Sequence, residues 1–116
     1  MKKLTTKQFN DFRAECLRLQ KEWGLTGWKL YFVFKPFENH YAECDIDLEG
    51  HLATIRLSSE LKDDVLEPNN ILSHAKHEMI HILLGRFAEI AYNRFIDKKT
   101  TIEAEEEVVR ILEKLL

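Results

Sequence analysis

The chain has 116 residues, 45% hydrophobic and 32% charged, a composition that describes one globular domain with a single core and excludes a disordered segment. A net charge of −3 supplies no basic field for nucleic acid or an acidic membrane, and no run approaches the length of a membrane span. Cys16 and Cys44 form no C-x-x-C and are too few for a disulfide framework, and no apolar signal core follows the basic start. The expectation is a cytoplasmic protein with reduced thiols.

Thr5 with Gln8 fits a capping box, and Phe9, Phe12, Cys16, Leu19 and Trp23 recur at steps of three and four, so a first helix is predicted that ends near Gly24. Residues 28–34 are aromatic and β-branched and read as a largely buried strand ended by Pro36. Residues 41–48 alternate, with Ala42, Cys44, Ile46 and Leu48 on one face and Glu43, Asp45 and Asp47 on the other. Glu49-Gly50 then turns into a strand over 52–58, which gives a hairpin. The fold class expected is α+β, with a short three-stranded antiparallel sheet between helices.

Residues 62–70 are a polar, acidic connector, with Asn69 and Asn70 as capping candidates. A long helix is predicted over 71–95. At 100° per residue, its His77/His81 face continues through Leu84, Ala88, Ala91 and Phe95, while the opposite side carries Leu72, Ala75, Met79, Ile82, Leu83 and Ile90. A helix apolar on both sides belongs in the middle of the molecule. Residues 97–99 form a charged loop, and Thr100 with Glu103 makes a second capping-box pattern that opens a last helix to about Leu116.

The central helix carries the chemistry. His77-Glu78-Met79-Ile80-His81 reads H-E-x-x-H. Two imidazoles four residues apart leave one helix face and can grip one metal ion, and Glu78 beside them can take a proton from water. A catalytic zinc normally has three protein ligands. The metzincin third ligand, a histidine six residues past His81, is excluded, because Phe87 stands there and Gly85 is off by one. No histidine follows His81 at all.

The last helix offers Glu103, Glu105, Glu106 and Glu107. With Leu112 as zero, Val108, Val109, Leu115 and Leu116 fall within about 60° on either side, and Glu105 lies at about 20°, in the middle of that stripe. Glu106 lies near 120°, and Glu103 and Glu107 point to solvent. A carboxylate on a core-facing stripe is costly unless something pairs with it, which makes Glu105 the expected third ligand and Glu106 the reserve.

With these residues in place, the chain resembles the gluzincin branch of the zincin metallopeptidases, and most closely very small phage- or prophage-associated metallopeptidases. The likeness runs over nearly the whole chain in element order, helix, short sheet, H-E-x-x-H helix, glutamate-rich terminal helix before Val108-Val109-Arg110, although only the H-E-x-x-H is a sharp motif. The segment from Glu103 to Arg110 departs from the N-E-x-x-S-D form of larger gluzincins. The resemblance implies a minimal zincin-like domain with one zinc ion, His77, His81 and Glu105 as ligands, and Glu78 as the base that deprotonates zinc-activated water for attack on a peptide bond. It also implies a protein or peptide substrate added as a strand to the sheet edge beside the metal, for which 53–58 is the expected edge. Tyr92, Tyr41 and His74 are candidate oxyanion donors.

Blander roles go to the remaining residues. His74 reads as a first-turn polar residue, His40 and His51 as exposed turn residues, Trp23 and Trp28 as core anchors, and Cys16 and Cys44 as small core residues. Two other functions fit the same motif: a non-catalytic interaction module stapled by a structural metal, or a degenerate metallopeptidase, and a metal-dependent hydrolase of a non-peptide substrate.

Overall fold

The structure, a computed structural model, describes residues 2–37, 41–61, 70–85, 88 and 97–115. It begins with a two-residue strand β1 (Lys2–Lys3) and helix α1 (Thr6–Glu22). The Thr5 side chain accepts from the Gln8 backbone at 3.1 Å while Gln8 Oε1 accepts from the Thr5 backbone at 2.8 Å, so the capping box forms. At the other end Gly24 adopts φ +70°, and Leu25 N–H reaches Gln20 O at 2.8 Å while Gly24 N–H reaches Lys21 O at 3.3 Å. That is a Schellman closure, in which glycine takes the left-handed position without a Cβ penalty.

Three strands form the main sheet: β2 (Lys29–Lys35), β3 (Ala42–Asp47) and β4 (Leu52–Ser58). β3 and β4 make the expected antiparallel hairpin, with Cys44 opposite Ile55. β2 runs parallel to β4, with Phe32 opposite Ile55, and the strand order is β2-β4-β3. The sheet is therefore mixed, which corrects the antiparallel expectation. A tight turn fixes β3 against β4, whereas residue alternation carries no information on the direction of β2.

The order also corrects the expected edge. β4 is the central strand, paired on both sides, so an extended peptide has no free backbone to join along 53–58. Burial accords with its place: Ala53, Ile55, Leu57 and Ser58 are the most enclosed residues of the sheet, and such a strand is best satisfied between two neighbours. The charged strand β3 takes one edge, and β2, which begins and ends in lysine, takes the other. A second small sheet pairs β1 with β5 (Glu60–Leu61).

Helix α2 (Ile71–Leu83) packs against α1 and lies beside β3. Phe12, Cys16 and Leu19 of α1, the inner face of β4, and Ala75, Met79 and Ile82 of α2 form the core. Trp23, Trp28 and Cys44 pack against it half-buried, while Leu72 and Leu83, expected on a buried face, are exposed. α2 closes at Leu83 with Leu84 as its C-cap, inside the predicted 71–95; Gly85 and Ala88 are again helical, and residues 86–87 and 89–96 lie outside the described residues. Gly85 follows that cap. A Cβ there would meet Ile46 Cδ1 of β3 at 3.2 Å, so its bare backbone permits the close approach of helix to strand.

The last helix, α3 (Lys98–Leu115), starts two residues before Thr100. Asp97 is the capping side chain, accepting from Lys99 N–H at 3.0 Å and from the Thr100 hydroxyl at 3.4 Å. This replaces the Thr100/Glu103 box, because aspartate is at least as strong an N-cap and precedes it. α3 packs against α2. Among the described residues no helix is long and apolar enough to cross a membrane.

Candidate metal centre

His77 and His81 leave α2 one turn apart, with ring centroids 5.1 Å from each other and planes at 71°. Their side chains are 24% and 19% exposed, so they sit where the core gives way to solvent. Across the seam, α3 presents three glutamates. Glu106 is shared: one carboxylate oxygen is 3.2 Å from His77 Nε2 and the other 3.4 Å from His81 Nε2. Glu113 Oε2 lies 3.0 Å from His77 Nδ1, and Glu105 Oε1 lies 3.5 Å from His81 Nδ1. Every nitrogen of both rings thus faces a carboxylate, and both Nε2 atoms face the same one.

His77, His81 and Glu106 form a group that could hold a metal ion, with one ligand atom from each and all three within 4.8 Å of one another. Glu106, the reserve, replaces Glu105 in this group. The helix geometry behind the choice was sound in part, since the Glu105 side chain is the deeper of the two at 11% exposure against 30%. Depth alone does not select the carboxylate that faces both Nε2 atoms. Glu103 is exposed, as its helix position requires, and the side chain of Glu107 lies outside the described residues.

Glu113 was absent from the sequence reading. Its signal was nevertheless there: it follows Glu106 by seven residues, two helical turns, and so shares its face.

Glu78 is only 5% exposed and points into the core side of α2. Burial pushes its carboxyl up to about 7, against the pull of His77 and His81, with Glu106 and Glu43 adding repulsion. For His81, burial favours the neutral ring, but the hydrogen bond its ring donates to Glu105 and the charges of Glu78, Glu105 and Glu106 outweigh it and raise the net value. His74 is lowered, by burial first and by His77 second.

Of the three oxyanion candidates, Tyr41 and His74 come together, edge to face with centroids 4.9 Å apart, one helical turn before His77. Tyr92 lies outside the described residues, as does His40, and His51 is exposed. Cys16 and Cys44 are free thiols, and Cys16 is fully buried, its Sγ 3.9 Å from Ala75 O.

Two imidazole nitrogens and one carboxylate make a mixed N/O donor set of a kind that can hold a divalent cation. Matched against protein-family models, curated proteins and solved structures, the chain finds no counterpart.

Proposed function

We propose that this protein is a zinc-dependent metallopeptidase, with His77, His81 and Glu106 holding the ion and Glu78 acting as general base. The observation that carries the reading is the convergence of both Nε2 atoms and one Glu106 carboxylate from two helices, with Glu78 in the sequence position between the ligands. When bound, the ion supplies a Lewis acid that polarises a carbonyl and acidifies water. The remaining work belongs to side chains. Glu78 accepts the proton of the attacking water and returns it to the leaving amine. Tyr41 and His74, in edge-to-face contact with His74 one turn before His77, would donate to the carbonyl oxygen as it gains charge.

Among the described residues the edge of the sheet nearest α2 is β3, and it has a neighbour on one side only. An extended peptide would add there, along Ala42–Asp47, in place of the expected 53–58. A substrate of this kind gains affinity from main-chain hydrogen bonds, which suits a chain with little mass to build a deep cleft.

One observation favours the second reading, a metal-stapled interaction module. Glu78 is nearly enclosed, and a base must reach water. Zinc stoichiometry measured on the purified protein, together with hydrolysis of an unstructured protein substrate, separates the two. A peptidase binds one zinc and cleaves, and Glu78→Gln keeps the zinc while losing at least about a hundredfold in rate. If the wild type and Glu78→Gln bind zinc equally and neither cleaves, the staple reading replaces the catalytic one.

A further inference from the structure

A histidine holds a metal well only when its ring is fixed. Rotation by half a turn about the last side-chain bond exchanges the two nitrogens, and a neutral imidazole has one lone pair to give and one N–H to place. An acceptor on the far nitrogen settles both matters, because it holds the ring and selects the tautomer.

Here each ring has its own acceptor, and both come from α3. Glu113 meets Nδ1 of His77 at 3.0 Å, and Glu105 meets Nδ1 of His81 at 3.5 Å. Glu106 lies between them in sequence and faces Nε2 of both rings. The order along the helices is consistent: the later glutamate of α3 serves the earlier histidine of α2, so α3 runs back along α2 and its side chains reach two successive turns. The position four residues after Glu106 on the same face is Arg110, which is exposed and cannot accept a proton. Glu113, one turn further, is the carboxylate that reaches His77.

We propose that Glu113 and Glu105 are positioning residues of the metal centre, Glu113 accepting the Nδ1 proton of His77 and Glu105 that of His81, so that both Nε2 lone pairs point to one ion beside Glu106. The assignment rests on the reading of His77, His81 and Glu106 as a metal site. It adds that one helix supplies the third ligand and both orienting carboxylates, so the geometry of the centre depends on how α3 seats against α2. An ordinary exposed ion pair would hold α3 weakly and leave the metal unaffected.

The test uses the full chain and zinc itself. Zinc affinity is measured by competition with a chromophoric chelator, and long-range nitrogen–proton NMR of the zinc-loaded protein locates the ring protons and their exchange with water. In the wild type His77 binds through Nε2 and keeps a slowly exchanging Nδ1 proton. Glu113→Ala makes that proton exchange fast and weakens zinc binding by about 10–100-fold, with the helical circular dichroism unchanged. Glu113→Gln, whose amide oxygen still accepts the proton, restores slow exchange and most of the affinity. Glu113→Ala with wild-type affinity and wild-type exchange overturns the positioning role and leaves the metal site intact, as does a His77 bound through Nδ1. A wild-type chain that binds no zinc overturns the metal reading and the positioning role with it.

Discussion

The two sides of α2 are held by different physics. Toward α1 and the sheet the contact is apolar: Phe12, Cys16 and Leu19 meet Ala75, Met79 and Ile82, all nearly or fully buried. Toward α3 the polar contacts are made by His77, His81, Glu105, Glu106 and Glu113, while Ile80 of α2 and Val109 of α3 are fully buried outside the α1–sheet cluster. The first seam draws on removal of apolar surface from water and needs no ion. The second gathers carboxylates around two imidazoles, an arrangement that repels itself unless a cation or protons offset it. One side of the helix therefore carries the apolar core and the other the histidine–glutamate cluster.

The largest effect expected from breaking that division is in the apolar seam. Phe12→Ala removes a fully buried ring and costs about 3–5 kcal/mol, equally with and without zinc, as read from urea unfolding. A cost that shrinks on adding zinc would mean that the two seams are not independent. Next comes the polar seam. Zinc at a hundred times its dissociation constant raises stability by about 2.7 kcal/mol, and a chelator or Glu106→Ala removes that gain. Retention of the gain in Glu106→Ala would remove Glu106 from the ligand set.

A smaller effect follows from pH. Burial, with Glu78 and Cys44 as lesser causes, raises the Cys16 thiol far above its ordinary value. The folded state then keeps a proton that the unfolded chain releases. Stability is unaffected below the unfolded thiol value, near pH 9, and falls above it by about 1.4 kcal/mol per pH unit for this group. Cys16→Ala should flatten the alkaline slope of a stability-against-pH curve, and an unchanged slope refutes the assignment. The smallest effect is at the start of α3. Asp97→Ala costs about 1 kcal/mol and Thr100→Ala much less, and the reverse order would restore the Thr100 cap.

What was legible from the residues follows the same division. Patterns that repeat along one segment were readable: the Thr5/Gln8 cap, the Gly24 stop, the β3–β4 hairpin, and the faces of α1. So was the closeness of the His77 and His81 rings, because a spacing of four on a helix has one geometric meaning. Relations between segments were not. The parallel pairing of β2, the central place of β4 and the break after Leu83 depend on which surfaces must be covered, and no local pattern states that. Glu105 illustrates the limit. Its helix angle gave its burial correctly, yet burial does not say which of two neighbouring glutamates faces both Nε2 atoms on another helix.

The amino-acid sequence alone determined the element types, the core face of α1 and the H-E-x-x-H spacing, because each depends on periodicity within a single element. Tertiary structure alone decided that Glu106 faces both Nε2 atoms, that Glu105 and Glu113 face the far nitrogens, and that β3 rather than β4 carries the edge. Those outcomes turn on the rotation of α3 against α2 and on strand order. Both are set by packing between distant parts of the chain, where a difference of 100° in helix angle exchanges a ligand for its neighbour.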